Sequence, residues 1–276
     1  MSHSDHITLG DLRESSRGIV NLRGWAAALR RPGRSLRTMV GDGPVFPLLI
    51  LFGLNAVDEL DRTGFGILLP NIRDAFAMSN TGVLALVGVT ALGALLMQMP
   101  IAIASDRGNR VAITLAGASA WAVFSVMTGA ATAIWMLVVA RVGTGIGRAV
   151  VDPTHNALLS DWYAVERRPA VFSFHRAANV LGNFAGPLLA GGLAAAFSWR
   201  VPFFVFAVPT VVLVALGLRL RDPVRGVQER RAAGASEHVA ETAETPPSFG
   251  EAWRLLWKID VLRRMWYSVP FLAVAV

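Results

Sequence analysis

Long apolar runs dominate the pattern of hydrophobic and polar positions along the chain. Six of them come close to or exceed the roughly 20 helical residues that cross a bilayer. They are residues 46–70, 81–103, 111–130, 132–160, 172–196 and 201–219. The runs are rich in Ala, Leu and Gly and lack the apolar–polar alternation of membrane strands. The pattern therefore predicts an all-α, polytopic membrane protein with six spans.

The short connectors between the runs predict an orientation. Their lengths force neighbouring spans to run antiparallel. The N-terminal tail and the segments on its side of the membrane carry 20 of the 26 basic residues, whereas the other side carries only Arg73 and Arg200. Cytoplasmic segments of membrane proteins hold such an excess of basic residues. We therefore expect a multi-pass protein of the cell membrane (plasma or inner), with the tail, residues 1–44, in the cytoplasm and the bundle at 45–220.

The chain changes in character after the sixth run. Residues 221–247 are polar and rich in Ala, Glu and Arg, which predicts a flexible cytoplasmic linker. Residues 248–266 begin with a capping box and gather apolar residues on one face, which is typical of a helix lying at the membrane surface. Residues 267–276 are apolar, and we expect them to begin a seventh span that is cut short. A missing C-terminal half of the same chain is thus a predicted partner.

Composition narrows the classes of function. The chain is 54% hydrophobic, which is too apolar for an ordinary soluble domain. The net charge is +7, and the basic residues cluster between the apolar runs. This placement indicates the charge bias of cytoplasmic loops and not nucleic-acid binding. The sequence has no cysteine, which excludes disulfides and thiolate metal sites. We expect membrane lipids and a small-molecule substrate as partners, and neither nucleic acid, cofactor nor metal.

The first run carries charges near its middle. Asn55, Asp58, Asp61 and Arg62 share one broad helical face, and Glu59 lies beside it. Each such charge costs roughly 2.5–3.5 kcal/mol at the centre of a span, so these residues usually face a protein interior or a wet cavity. We expect Asp58 to pair with Arg62, which leaves Asp61 and Glu59 to be neutralised by a proton or by a cation of another span. The alternative is a helix end in water.

The fourth run carries a complementary stripe. Arg141, Arg148, Asp152 and His155 fall on one helical face. The alternative to a functional role is an internal lattice of salt bridges. The glycines between the two arginines favour close helix packing, because neither a preceding strand nor a Gly-Lys-Ser/Thr element supports a nucleotide loop.

Two further features complete the candidate residues. In the fifth run, His175, Asn179 and Asn183 recur at four-residue spacing and share a face, and nearby glycines with Pro187 predict tight packing and a kink. The loop "SDRGNR" between the second and third runs holds Asp106, Arg107 and Arg110. Taken alone, a basic loop of this length only sets topology.

These residues resemble a known family, the major facilitator superfamily. "SDRGNR" is similar to the family's loop between helices two and three, although Ala102 and Asn109 stand where glycines are expected. "RVGTGIG" matches the fourth-helix pattern of an arginine followed by glycines, and "GNFAGPLLAGG" resembles the fifth-helix antiporter signature with one extra residue. "LDRTGFGILLPNI" looks closest to the spinster-like branch through Asp61 and Arg62. That branch usually has a glutamate where this chain has Arg148.

The resemblance implies the N-terminal six-helix half of a transporter that works by alternating access. It implies secondary active transport of a small organic solute, coupled to protons, and no enzyme activity. The candidates are as follows: Asp58, Asp61 and Glu59 for the proton; Asn55, Arg62, Arg148, Asp152, His155 and Asn179 for the substrate cavity; Asp106, Arg107, Arg110 and Arg141 for a conformational latch. The rival class is a non-transporting membrane protein, such as a sensor or scaffold.

Overall fold

The computed structural model describes residues 32–242, 249–261, 263–264 and 267 of the 276. Within them the chain forms helices, turns and loops, and no β-strand occurs there. The helices are α1 (Pro32–Val40), α2 (Val45–Ala75), α3 (Asn80–Arg107), α4 (Arg110–Ala130), α5 (Ile134–Arg148), α6 (Val151–Trp162), α7 (Arg168–Ala196), α8 (Val201–Gly217), α9 (Val227–Ala232), α10 (Glu237–Ala240) and α11 (Phe249–Lys258). A 3₁₀ turn, Val165–Arg167, precedes α7. The all-α prediction is confirmed.

The six predicted spans correspond to α2, α3, α4, α5 with α6, α7 and α8. Among the described residues, three segments are long and apolar enough to cross a membrane by length and composition, namely 80–107, 110–130 and 134–162. Helix α8 is equally apolar but has 17 residues. Helices α2 and α7 have ample length, at 31 and 29 residues, but interrupt their apolar sequence with charged and polar side chains. Those two helices supply much of the candidate site.

Side-chain caps start two of the spans. Ser79 accepts a hydrogen bond from the backbone N–H of Gly82 at 3.1 Å, where α3 begins. Asn109 does the same for Ala112 at 2.8 Å, where α4 begins. A polar side chain at this position satisfies one of the N–H groups that a helix start leaves without an intrahelical partner. The chain can therefore reverse direction within a few residues at both ends of α3.

The fourth span is interrupted, although the sequence pattern predicts one continuous run. Helix α5 ends at Arg148 and α6 begins at Val151. Pro153 explains the break, because it has no N–H to donate to the carbonyl of Ala149 and its ring crowds that group. Residues 149 and 150 keep helix-like dihedral angles, with ψ of −11° and −23°. The span therefore bends rather than reverses, and Arg148 lies at the bend.

Close helix contact holds the first and fifth spans together. Helix α2 packs along α7, α4 packs on α5 and α8, and α3 packs on α5. At the α2–α7 contact, a Cβ added at Gly182 would lie 2.3 Å from Cβ of Glu59, and one at Gly186 would lie 2.0 Å from Oγ1 of Thr63. The small residues are thus required by the distance between the two backbones.

Two apolar clusters enclose a polar layer. One includes Phe65, Leu68, Trp121, Phe203 and Phe206, and the other includes Leu48, Leu51, Leu115, Leu158 and Tyr163. Along the helices, buried polar residues fall between these clusters; they are Asn55, Asp58, Asp61, Arg141, His155 and His175. Burial of so many polar groups is costly unless they bond one another, so this layer is where chemistry is expected.

The segments near the chain ends differ in how far the structure describes them. The loops around 104–110 and 161–170 and the residues 219–242 form one end of the bundle, called the basic end below. Residues 221–242, expected to be a flexible linker, form α9 and α10 there and bury Val227 and Ala240. In α11 the rings of Trp253 and Trp257 lie 5.6 Å apart, edge to face. Residues 1–31 of the tail, residues 243–248, and the seventh span from 268 onward lie outside the described residues.

Candidate functional site

Three ion pairs surround the charged part of the first span. The partners differ from the sequence expectation, because Arg62 bonds Glu59 and not Asp58. A three-residue spacing on a helix brings two side chains together as well as a four-residue spacing does. The pairs are Glu59 Oε2–Arg62 Nε at 2.6 Å, Asp58 Oδ2–Arg148 Nη2 at 3.0 Å and Asp61 Oδ2–Arg141 Nη1 at 3.3 Å. Cations of the fourth span therefore meet two of the three carboxylates, as the complementary stripe suggested.

Asp61 is the most enclosed of the three carboxylates. It is 1% exposed, and Ser125 Oγ donates to its Oδ1 at 3.0 Å. Arg141 donates to its Oδ2 and lies over the ring of Phe65, with the guanidinium carbon 3.8 Å from the ring centroid. Both oxygens of Asp61 thus have partners. Ser125 was not predicted, because it is one of four hydroxyl residues in the third span and the sequence does not distinguish it from Thr114, Ser119 and Thr128.

Arg141 lies in this interior cluster and not at the basic end. The sequence analysis grouped it with the loop residues Asp106, Arg107 and Arg110 as a latch. Its contacts in the described residues are with Asp61 and Phe65, both of the first span. Helix α5 enters from the opposite end of the bundle and carries Arg141 only two turns inward, which explains the separation from the loop.

Asp58 is less completely bonded than Asp61. Arg148 pairs with its Oδ2, and its Oδ1 has no hydrogen-bond partner in the described residues. Arg148 reaches Asp58 from the bend created by Pro153. The break in the fourth span therefore sets the position of this pair.

Asparagines and histidines connect the first, fourth and fifth spans. Asn55 Nδ2 donates to Asn179 Oδ1 at 2.6 Å and to the carbonyl of His175 at 3.2 Å. His155 Nδ1 and His175 Nε2 are 3.1 Å apart, and both rings are buried. Asp152 lies outside this group and pairs with Arg176 at 3.4 Å, where both side chains are more than half exposed. The shared face predicted for the fifth span accounts for these contacts.

A cavity of about 530 Å³ opens beside the cluster. It is lined by arginines, carboxylates and amides, together with small apolar residues. Its charged and amide-bearing lining residues are Arg62, Arg141, Arg148, Arg176, Asp58, Glu59, Asp152, Asn55, Asn179 and Gln98. The side chains of Arg62 and Arg176 are about half exposed, at 49% and 51%. Among the predicted cavity residues, His155 lines a separate, smaller cavity instead. Arg176 was not singled out as a site residue from the sequence.

The basic end carries a second charge network, here called the Arg110 clasp and defined as Arg110, Asp161 and Asp222. Arg110 Nη1 donates to Asp161, Nε donates to Asp222 at 2.9 Å, and the backbone N–H donates to Asp222 at 2.6 Å. Nη2 donates to the carbonyl of Pro223 at 2.6 Å. Asp161 also accepts from the backbone N–H of Gly226 at 2.8 Å. The clasp thus ties the chain after the sixth span to the third and fourth spans.

The other two loop residues lie apart from the clasp. Asp106 and Arg107 are exposed, and the described residues provide neither with a hydrogen-bond or ion-pair partner. Further along the basic end, Arg231 donates to Glu237, and this hydrogen bond lowers the pKa of the Glu237 carboxyl. The structure therefore separates Arg110, which is buried and bonded, from its two neighbours in the sequence motif.

The sequence profile of the Major Facilitator Superfamily matches residues 51–276. The match covers most of the chain, including every helix that contributes to the polar layer. The chain belongs to the Major Facilitator Superfamily. Proteins of this superfamily are multi-pass membrane transport proteins and not enzymes, as the sequence analysis expected.

Curated superfamily relatives share moderate identity with the chain. The probable L-galactonate transporter of Escherichia coli (strain K12) is 29% identical over 224 residues, which cover 79% of this chain and 48% of that protein. The hexuronate transporter of Bacillus subtilis (strain 168) is 25% identical over 201 residues, covering 72% and 46%. The chain therefore spans about half the length of the curated relatives it matches.

A solved superfamily structure supports the branch suggested by Asp61 and Arg62. It is a bacterial homolog of the human lysosomal transporter Spinster, in an inward-facing and unoccupied conformation. The identity is 27% and the TM-score 0.56, and the match covers 66% of this chain and 44% of that one. The six-helix half predicted from the sequence is thus the fold observed.

Proposed function

We propose that the transporter containing this chain moves a small organic acid across a membrane by alternating access, and that the movement is coupled to protons. The observation that carries the proposal is the 530 Å³ cavity, in which Arg62 and Arg176 remain about half exposed beside Arg148. Cations that are not fully enclosed by protein carboxylates can bind an anionic group of a solute.

Arg62 is the strongest candidate for contact with the solute. Its Nε is occupied by Glu59 at 2.6 Å, and Nη2 makes a long contact of 3.3 Å with Asn183 Oδ1. A guanidinium has five N–H donors, so the group retains donors that can bind a carboxylate. Galactonate and hexuronates, which the names of the two relatives mention, are acids of this kind. Asn55, Asn179 and Asp152 line the same cavity and would contact the hydroxyl groups of such a solute.

Proton coupling is proposed at the carboxylates of the first span. Asp58 lines the cavity, and its Oδ1 has no protein partner in the part of the chain that the structure describes, which favours it as a residue that accepts and releases a proton. Asp61 lies one helical turn further along α2. It pairs with Arg141, which also lines the cavity. Glu59 is the third candidate, although Arg62 pairs with it directly. Protonation of a carboxylate would release its arginine for the solute, which links the two events.

The exposure of Asp106 and Arg107 at the basic end supports a role of this loop in conformational change. Asp106 and Arg107 have polar groups available for the second half of a transporter, and we propose that they contact it in one conformation only. Arg110 would serve this motif indirectly by holding the loop through the clasp. The basic end would face the cytoplasm, in keeping with the excess of basic residues there.

Uptake by vesicles bearing the full-length transporter tests the proposal. Radiolabelled galactonate and galacturonate should accumulate when a pH gradient is imposed, and glucose should not. Asp58→Asn and Asp61→Asn should abolish accumulation driven by the gradient while retaining exchange of solute across the membrane. Arg62→Gln should raise KM about tenfold, which is the effect of losing ~1.4 kcal/mol of binding.

Arg219→Gln is the matched control, because Arg219 is exposed at the basic end and outside the cavity. Equal uptake of glucose, or an unchanged KM in Arg62→Gln, would contradict the acid specificity. Accumulation that ignores the pH gradient would contradict proton coupling. Absence of any solute movement would favour the sensor or scaffold class.

A further inference from the structure

A second, small cavity lies beside Asp58. Its volume is about 20 Å³, and it is lined by residues of the first, third, fourth and sixth spans. The polar and ionisable lining residues are Asp58, Thr114, Trp121, Arg148, His155 and Thr210. The remainder of the wall is apolar, with Leu54, Val150 and Val151 among its residues. This cavity is distinct from the 530 Å³ cavity, which shares only Asp58, Arg148 and Val151 with it.

Two buried groups on this wall have no hydrogen-bond partner in the described residues. They are Oδ1 of Asp58 and the indole Nε1–H of Trp121, and Trp121 is 3% exposed. One is an acceptor and the other is a donor. A buried polar atom without a partner is costly, and structures usually satisfy it with an ordered water when the space allows. A volume of about 20 Å³ is enough for one water molecule.

His155 gives the cavity a third polar group. Its Nδ1 is bonded to Nε2 of His175, so one of these two nitrogens donates and the other accepts. The other ring nitrogen of His155, Nε2, takes no part in that bond and can accept or donate according to the tautomer. The His155 ring is 1% exposed and lines the cavity. The wall of the cavity therefore includes a carboxylate, an indole and an imidazole.

We propose that this cavity binds one water molecule that accepts from Trp121 Nε1–H, donates to Asp58 Oδ1 and bonds His155 Nε2. The water joins Asp58 to the histidine pair in one hydrogen-bonded chain. When Asp58 is protonated, the bond between Asp58 and the water reverses and Oδ1–H donates to the water, while the water donates to Nε2 of His155, whose Nδ1–H donates to His175. Oδ1 then gives its proton to the water as the water gives one of its own to Nε2. Asp58 is then ionised beside Arg148, and the histidine pair holds the proton. This inference rests on the proposed role of Asp58 in proton coupling.

The surrounding charges act on both ends of this chain of bonds. Arg148 and Arg62 favour the ionised form of Asp58, whereas Asp61 and Glu59 oppose it. Arg176 opposes a proton on either histidine, and Asp152 favours one on His175. The histidine pair would therefore hold the proton only transiently.

A structure of the full-length transporter at a resolution that shows ordered waters is the first test. We expect one peak in the cavity, within hydrogen-bond distance of Asp58 Oδ1 and Trp121 Nε1, and loss of that peak in Trp121→Phe. Trp135→Phe is the matched control, because Trp135 is 68% exposed at the start of α5. An empty cavity in the unaltered protein would overturn the proposal.

Infrared titration of the carboxyl band of Asp58, identified by its loss in Asp58→Asn, is the second test. Trp121→Phe and His155→Gln should each shift the midpoint of that band by about one pH unit, which corresponds to the loss of one hydrogen bond. His238→Gln, at an exposed position of α10, should leave it unchanged. Unshifted midpoints in both variants would overturn the chain of bonds. If instead Asp58→Asn remains fully coupled while the water peak is present, the proposed proton role of Asp58 fails and the water site stands.

Discussion

Arg110 and Arg141 are both 3% exposed, yet the molecule satisfies them in different ways. Arg110 uses Nε, Nη1 and Nη2 to bond two carboxylates and a carbonyl. Arg141 bonds a single carboxylate through Nη1, and its Nε has no partner in the described residues. The flat face of its guanidinium lies over the ring of Phe65.

The contrast extends to the carboxylates around the two arginines. In the clasp, Asp161 and Asp222 accept from backbone N–H groups as well as from Arg110. In the interior cluster, one oxygen of Asp58 has no protein partner among the described residues. A fully bonded charge network is expensive to rearrange, whereas an incompletely bonded one loses little when a proton or a solute arrives. Under the proposed function, the clasp would be the fixed element and the interior cluster the part that changes state.

Removal of the clasp's cation should have the largest effect on stability. Arg110→Ala leaves Asp161 and Asp222 close together without their counter-ion, so we expect a loss of about 3–5 kcal/mol in the free energy of unfolding. A denaturant titration of the purified protein in mild detergent measures it. Arg107→Ala, three residues away and exposed, should be nearly neutral. Equal effects of the two changes would remove the distinction between the clasp and the rest of the loop.

The interior carboxylates should rank below the clasp and differ from each other. Asp61→Asn disrupts bonds to Arg141 and Ser125, so we expect a loss of about 1.5–3 kcal/mol, the range for a hydrogen bond to a charged group. Asp58→Asn should cost less, because only one of its oxygens is bonded. The same titration compares the two variants. A larger loss for Asp58→Asn would show that its unbonded oxygen is not a sign of readiness to change.

The glycine contact between the first and fifth spans should give an effect comparable to those of the interior carboxylates. Gly182→Ala places a methyl 2.3 Å from Cβ of Glu59 and in close contact with the backbone of α2. We expect this overpacking to lower the free energy of unfolding by about 1–3 kcal/mol. Gly191→Ala on the same helix meets nothing within 4 Å and should be neutral or slightly stabilising. Matching melting temperatures for the two variants would argue that the helices can separate without penalty.

The sequence predicted the fold and the contact between two charged helix faces because both follow from local pattern. Apolar runs of span length appear as helices, and the charged face of α2 does meet the charged stripe of α5. The bend in the fourth span was also within reach of the sequence, since Pro153 alone removes the hydrogen bond that would continue α5. The hydrophobic run concealed it because hydropathy does not distinguish a straight helix from a bent one.

The sequence did not determine which side chains pair with one another in the candidate site. Helical spacing allows Arg62 to meet either Asp58 or Glu59, and the rotation of α2 against α5 and α7 decided for Glu59. The grouping of Arg141 with the loop failed for a related reason, since a sequence motif does not say how deep along a span its side chain lies. Residues 221–242 look disordered by composition, yet Asp222 and Gly226 bond the third and fourth spans.

The clasp also imposes an order on how the protein is made. Asp222 follows Arg110 by 112 positions. Arg110 is therefore synthesised long before Asp222, the second carboxylate that binds it. At typical rates of synthesis this interval is roughly 6 to 22 seconds. During that time the third span enters the membrane with a cation at its end whose partners are water, lipid headgroups and, once it has been synthesised, Asp161. The basic end of the bundle therefore closes after the sixth span has been synthesised.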